Sequence, residues 1–338
     1  MLVHNSHRIK SPGAKCSRFV ARLSSGHKMC LTGTPMPHSP LDLYGQYRFL
    51  DPGIFGTRFV AFRDQYAVMG GFEHHQIIGW RNQEELRERM DTLRWYVAQE
   101  ELDVPELQIL DRLCELEPAA RKTYKDLWKN FMAEVAGGVV TASNALAKLL
   151  RLQQISAGFA VMDDEDKTII EISTAKRALL VDLLRDLAGE PVVVFGRFHH
   201  DLDVIHQVAD ELGRTCGEIS GRVKQYREWR GGDYDTLAVQ CQAGSLGIDL
   251  TRARVGIFFT QSLSLGDYQQ AVARLHRPGQ EHTVLIYRLL AHSTVDQKIV
   301  RALDKREQVI NSIIGEVIDG HDGDGTRVGG AEGQEGRS

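Results

Sequence analysis

Apolar positions change their rhythm along this chain, and the change divides it. From Leu41 to about Ile155 they recur mostly at helical spacing. Tyr124, Leu127, Trp128, Phe131 and Val135 line one face after Pro118, which suits a first helical turn because its missing N–H has no partner to lose there. Leu146, Leu149, Leu150, Leu152 and Ile155 form a second such run beyond the Gly137-Gly138 break, and 84–96 is a charge-rich helical stretch. After Ser173 short apolar strands alternate with helices, the pattern of a doubly wound parallel sheet. The spacing predicts a helix over 175–187, capped by Ser173 or Thr174 and followed by Gly189, then a strand over 191–195 and a helix over 201–212 ended by Gly213.

Strands follow over 237–241, 255–259 and 283–290. Between the last two, Asp267 reads as a helix cap with Gln270 at the capping-box position, and Pro278-Gly279 as the stop. Thr294 with Gln297 repeats the device. Val295, Ile299, Leu303, Ile310, Ile313, Ile314 and Val317 then lay an apolar stripe along a last helix. Beyond Gly320 the residues are almost all polar or Gly and cannot bury enough apolar surface to order themselves. At the other end, 28–31 reads as a strand leading into Thr32-Gly33-Thr34-Pro35, after which Pro35, Pro37 and Pro40 forbid a regular element. Four regions are expected: a short segment 1–40, a mainly helical region 41–172, an α/β lobe 173–318 and a disordered Gly-rich tail 319–338.

Composition adds limits. With 338 residues the chain exceeds a usual domain of about 100–200, so two folded units are expected. Hydrophobic (42%) and charged (25%) fractions are those of soluble globular proteins. No apolar run approaches the roughly 20 residues that span a bilayer, and no secretory leader is visible, so no membrane partner and a cytoplasmic location are expected. Cys16, Cys30, Cys114, Cys216 and Cys241 are scattered and never form Cys-x-x-Cys, which argues for reduced packing thiols over a disulfide framework or zinc site. His74-His75 and His199-His200 have no carboxylate or Cys at ligand spacing and read as loop or surface residues, so no metal site is expected. The net charge of −4 announces no nucleic-acid binder; any DNA contact must be local.

The strongest chemical signal is QAVARLHRPGQ, Gln270 to Gln280, which places Arg274 and Arg277 on one face of a last helical turn. Two guanidiniums so placed can reach a nucleotide on a neighbouring lobe and stabilise charge developing on its γ-phosphoryl group. Alone, Arg-x-x-Arg would be a solvated helix end. Upstream, however, a strand ending at Cys241 runs into AGSLGIDLT, a Gly-interrupted turn carrying Gly244, Gly247 and Asp249, at the strand end where doubly wound folds bind ligands.

Here the sequence resembles the Snf-two family of DNA-dependent ATPases, within superfamily two of helicases. The family's motif V, A-G-G-x-G-L-N-L, is similar to Ala243 to Leu250; motif VI, Q-A-x-x-R-x-x-R-x-G-Q, matches Gln270, Ala271, Arg274, Arg277, Gly279 and Gln280. Motif III, L-T-G-T-P, stands unchanged at Leu31 to Pro35, and motif IV is similar to Val192 to Arg197. SPLDLYGQYRFLDPGIFG looks most like compact phage and prophage members. Ser245, Leu246 and Asp249 depart from the family's Gly, Glu and Asn. The resemblance implies a RecA-like helicase C-terminal lobe of the P-loop NTPase class, preceded by a helical insertion and a remnant of the first RecA-like lobe. It implies γ-phosphate sensing by Arg274 and Arg277, nucleotide contacts at Gly244, Gly247, Asp249, Gln270 and Gln280, and coupling through Thr32, Gly33 and Thr34. Arg197, Ser220 and Arg222 would touch the backbone of double-stranded DNA, for which hydroxyls, amides and basic side chains suffice. Trp128 and Phe131 read as core and not as a base-stacking platform.

Two family features are missing. No Gly-Lys dipeptide occurs, so no Walker A loop G-x-x-x-x-G-K-[S/T] can be drawn; Gly13-Ala14-Lys15-Cys16 lacks both the loop and a preceding strand. His7-Arg8-Ile9-Lys10 aligns with the R-I-K that follows the family's D-E-x-H, but the acidic pair reads His4-Asn5. Neutral His is a poor Mg²⁺ ligand and Asn is no base. The expectation is a chain that begins inside the first motor lobe and neither binds ATP tightly nor hydrolyses it alone. ATP and Mg²⁺ would belong to the complete motor, and two origins fit equally: a broken or truncated gene, or one half of a split motor whose first lobe a separate chain carries. The competing expectation is a vestigial, non-catalytic DNA- or partner-binding protein.

Overall fold

Val192, Val193, Val194 and Phe195 are all fully buried, so successive side chains of one strand point into apolar layers on both faces of a sheet. In the computed structural model, which describes residues 1–33, 35–36, 39–70, 76–95, 103–136, 142–162, 168–242 and 248–305, that strand is central to a six-stranded sheet. The chain forms two compact units, Met1–Val104 with Arg277–Gly279, and Pro105–His276 with Gln280–Ser338.

The first unit contains β1 (Leu2–His4), a 3-10 turn Ser6–Ile9, α1 (Lys15–Val20), β2 (Met29–Leu31), α2 (Leu43–Leu50), α3 (Pro52–Phe55), α4 (Phe59–Tyr66), β3 (Ala67–Gly70), β4 (Gln76–Trp80) and α5 (Gln83–Asp91). β1 and β2 pair in parallel, Leu2 opposite Met29, as a crossover through α1 requires. Val3 and Cys30 lean on a small core of Ile9, Val20 and Phe49. A separate aromatic core joins α2 to α5: Phe55 and Phe62 meet edge to face at 5.0 Å, as do Tyr47 and Phe55. Asp51 caps α3 by accepting from the Gly53 amide at 2.8 Å, with Pro52 in the first turn.

The second unit contains β5 (Leu107–Cys114), α6 (Pro118–Ala136), α7 (Ala142–Ala157), the hairpin strands β6 (Phe159–Val161) and β7 (Ile169–Glu171), α8 (Ala175–Asp186), β8 (Val192–Gly196), α9 (His199–Glu211), β9 (Cys216–Ile219), α10 (Tyr226–Gly231), β10 (Thr236–Gln240), β11 (Val255–Phe258), α11 (Leu265–Leu275), β12 (Val284–Ala291) and α12 (Val295–Asp304). The sheet order is β5-β12-β11-β8-β10-β9 and every pairing is parallel. One core layer takes Val193, Phe195, Leu237 and Ile286 with Phe131, Leu152, Leu275 and Ile299 from the helices on that side. The other takes Val192, Val194 and Ile257 with Leu180 and Leu184 of α8 and Leu202 and Ile205 of α9. This is the doubly wound α/β architecture that the alternating pattern predicts.

Three details differ from the sequence reading. The stretch 41–155, expected to be mostly helical, holds the hairpin β3/β4 and an eight-residue strand, β5, which pairs along its whole length with β12. Apart from Asp111, which accepts from Arg288 at 2.6 Å, β5 is an edge strand whose residues are mostly exposed, so LQILDRLC carries no clean alternation. The cap of α11 is Ser264, accepting from the Asp267 amide at 3.2 Å, and not Asp267 itself. Cys16 is exposed and not a packing thiol of the core, unlike the buried Cys241. Thr294 does cap α12, while Gln297 reaches past it to the Ser293 amide at 2.8 Å. His74, His75, the stripe beyond Lys305 and the tail 319–338 lie outside the described residues. Among the described residues no helix is long and apolar enough to cross a membrane.

Candidate functional site

A parallel sheet has two unlike rims, and the motif residues of the second unit divide between them. The loops after β8, β9 and β10 emerge at the C-terminal rim. α11 starts after β11 at that rim and runs back, so its last turn lies beside the residues that lead into β11 and β12. The tight seat of α11 depends on Gly256: a Cβ there would stand 2.6 Å from Leu275 Cδ1 and 2.8 Å from Ile286 Cδ1.

Arg274 lies in that last turn, half-exposed, and its carbonyl accepts from the Leu250 amide at 3.0 Å. Arg277 lies beyond the helix, which ends at Leu275, so the two arginines do not share a helical face as the spacing suggests. Among the described residues the half-exposed Arg277 side chain makes no hydrogen bond or ion pair. Asp249 is exposed and turns its carboxylate onto the Thr251 amide (3.0 Å) and hydroxyl (2.8 Å). Gln270 is half-buried within α11. Gln280 is buried, and its amide is wholly engaged with backbone groups of Thr251, Ala253, Leu275, Glu281 and His282. A groove of about 410 Å³ opens beside it, lined by Glu190, Thr251, Arg252, Arg254 and His282. Its arginines are committed: Arg254 grips Glu190 through two bonds (2.8 and 3.1 Å), and Arg252 stacks on Trp229 and donates to the carbonyls of Trp229 and Tyr234. The Arg254 guanidinium beside Glu190 holds its carboxyl below the usual range.

At the opposite rim, Arg197 follows β8 with its amide held by the buried Asp201 carboxylate (2.9 Å). Burial lowers the Arg197 guanidinium from its ordinary value, and nearby Cys241, Asp267 and Asp201 oppose that shift. Ser220 is buried: its hydroxyl donates to Glu218 at 2.5 Å and accepts from the amides of Arg222 and Val223. Arg222 is gripped by Glu218 (2.8 Å) and Asp203 (2.5 Å), which push its guanidinium further up. A DNA phosphate would have to displace these carboxylates before it met Arg222. Gly244 and Gly247 lie outside the described residues.

In the first unit, Thr32 follows β2, and its hydroxyl lies 3.1 Å from His7 Nδ1. Gly33 is exposed, and Thr34 lies outside the described residues. Sequence reading missed Gln46, the buried residue that steadies this turn: it accepts from Ser6 at 2.7 Å and donates to the carbonyls of Pro35 (2.7 Å) and Asp42 (3.1 Å). A glutamine inside the apolar run of α2 was the available signal. At the end of β1, Asn5 takes a left-handed conformation (φ 55°, ψ 48°) and starts the 3-10 turn. Neither it nor His4 offers a carboxylate, so these residues do not fit the Mg²⁺–water site of a complete motor.

An all-parallel doubly wound lobe with motif loops on both rims is a RecA-like lobe of the helicase class. The chain belongs to the Snf2 family: the model of the SNF2-related domain matches residues 1–161, and that of the helicase conserved C-terminal domain matches residues 175–279. The CHD3-type chromatin-remodeling factor PICKLE of Arabidopsis thaliana is 24% identical over 340 residues, covering 93% of this chain. Putative protein p41 of Acyrthosiphon pisum secondary endosymbiont phage 1 is 25% identical over 336 residues, covering 91%. The chain spans 24% of the length of the first relative and 70% of the second. The crystal structure of the C-terminal part of the Fun30 ATPase domain superposes with a TM-score of 0.50 at 18% identity, covering 64% of this chain and 99% of that one.

Proposed function

We propose that these residues serve as the γ-phosphate-sensing and DNA-tracking part of a Snf2-type motor on double-stranded DNA. Arg274 and Arg277 would stabilise charge on the phosphoryl group of an ATP held elsewhere. The observation that carries this reading is Arg277: a half-exposed guanidinium with no partner among the described residues, inside the match to the helicase C-terminal domain. ATP and Mg²⁺ belong to the family's complete motor. These 338 residues contain no Gly-Lys phosphate loop, and His4-Asn5 offers no metal-holding carboxylate, so hydrolysis needs residues supplied from another chain or segment.

DNA would run along the C-terminal rim, with the half-exposed Arg197 as the contact left most available, since Ser220 is buried and Arg222 is held by Glu218 and Asp203. His4-Asn5 favours a second reading, a non-catalytic DNA- or partner-binding protein, and both readings share the DNA surface. Duplex binding measured across a salt series tests it. The affinity should fall with salt, and Arg197→Ala should reduce the slope by about one. A salt-independent shift, or none, would count against the DNA surface.

A further inference from the structure

Arg277 sits on a three-residue loop, Arg277-Pro278-Gly279, and the residues on either side of it are both buried and polar. His276, 8% exposed, places its ring Nε2 2.6 Å from the Pro105 carbonyl and donates its amide to the Val272 carbonyl at 2.9 Å. Gln280, also 8% exposed, presents Nε2 to the carbonyls of Thr251 (3.1 Å), Ala253 (3.1 Å) and Leu275 (3.4 Å), while Oε1 accepts from the amides of Glu281 (3.1 Å) and His282 (3.2 Å). A carboxamide has two donors and two acceptor lone pairs, and all of them are used. Nothing remains on Gln280 for a nucleotide. Gly279, at φ +99°, allows the chain to turn back between Arg277 and the second anchor, a conformation side chains oppose.

The Gln280 anchor also reaches the segment that follows the loop 243–247. Thr251 and Ala253 belong to the turn into β11; the Asp249 carboxylate closes this turn on Thr251, and the Leu250 amide donates to the Arg274 carbonyl. Residues 249–253 are therefore stitched to the flanks of the arginine loop at two points.

We propose that His276 and Gln280 are positioning residues, a pair of buried posts that fix the Arg277 loop and tie it to the 249–253 turn, and that Gln280 does not contact the nucleotide. The assignment of a purpose to this fixation rests on the reading of Arg277 as a phosphate sensor, but the posts themselves are tested without any nucleotide. The test uses the full chain, ligand-free, and two readouts: amide hydrogen exchange, and ¹⁵N relaxation at Arg277. Gln280→Glu keeps the shape and the acceptors but turns a charged oxygen onto three carbonyls; Gln280→Met keeps the length and removes every bond.

Either change should raise exchange at Leu250, Glu281 and His282 by about tenfold or more. It should also lower the Arg277 backbone order parameter from about 0.85 toward about 0.6. Arg277→Ala should leave exchange at those three amides unchanged, because Arg277 is carried by the posts and does not build them. His276→Phe, which removes the ring bond to Pro105, gives a second route should the Gln280 variants fail to fold, and should loosen Arg277 likewise. Unchanged exchange at Leu250, Glu281 and His282 in both Gln280 variants would overturn the clasp. Raised exchange with Arg277 as rigid as before would make Gln280 a fold staple only and overturn the positioning role. Failure of Arg277→Ala to alter a reconstituted motor would sink the phosphate-sensor reading and leave the posts standing.

Discussion

Removing the charge of Lys176 should be among the most damaging single changes to the second unit. Its ammonium lies 2.6 Å from Asp296 Oδ2, both side chains are fully buried, and it also donates to the Phe259 carbonyl at 3.2 Å. Asp296 in turn accepts from the Ser156 hydroxyl (2.8 Å) and the Ala291 amide (3.0 Å), so one pair joins α7, α8, α12 and the ends of β11 and β12. Lys176→Met keeps most of the volume and strands a carboxylate in the core. Loss of one partner of a buried pair costs about 3–5 kcal/mol, which at about 2–4 °C per kcal/mol lowers the melting temperature by roughly 6–20 °C. Asp296→Asn added to Lys176→Met removes the stranded charge while keeping an acceptor for the Ala291 amide, and should recover at least about half of the loss. Thermal unfolding of the four proteins of this cycle measures both terms. A single-change cost below about 1 kcal/mol, or a double variant no better than Lys176→Met, would refute the reasoning.

Arg288 is buried between Asp111 of β5 (2.6 Å) and Asp304 of α12 (2.6 Å), and should be what keeps the exposed edge strand in register. Because both carboxylates are half-exposed and rehydrate when freed, Arg288→Met should cost only about 1–3 kcal/mol, with hydrogen exchange rising along β5 and not along β8. Burial pushes the Glu218 carboxyl up, but hydrogen bonds from Arg222 and Ser220 outweigh it and hold the group below its ordinary value. A depressed carboxyl stabilises the fold above its unfolded value of about 4.3, and that contribution is lost as pH falls through the folded value. Exchange over 216–225 should therefore rise in acid below about pH 4 before the central strands open. Glu218→Gln should remove that acid step, and a step of the same size in the variant would contradict the assignment.

The doubly wound lobe was legible because its strands are buried on both faces and so appear as unbroken apolar runs such as Val192 to Phe195, with Gly189 and Gly213 ending the helices. β5 was not legible: an edge strand with mostly exposed residues draws its order from pairing with β12, some 170 residues later, which no local pattern records. The chemistry divided in the same way. Arg274 and Arg277 are marked by spacing, whereas α11 stops at Leu275 between them, ahead of Pro278, which disfavours a helical backbone at the residue before it. The family resemblance suggested that Ser220, Arg222 and Gln280 face ligands. Their side chains are instead turned onto Glu218, Asp203 and the backbone, because nearby buried or partly buried polar groups need partners and these residues supply them. Gln46 and His276 escaped notice for the converse reason, since a buried polar anchor has no sequence signature apart from its apolar neighbours.

Phosphate release from ATP by the purified 338-residue chain, with and without duplex DNA, tests the central claim most directly. The account predicts no DNA-stimulated release, and no difference between the wild-type chain and Arg277→Ala, because Arg274 and Arg277 act on a phosphate that other residues must hold. DNA-stimulated release that Arg277→Ala abolishes would contradict it.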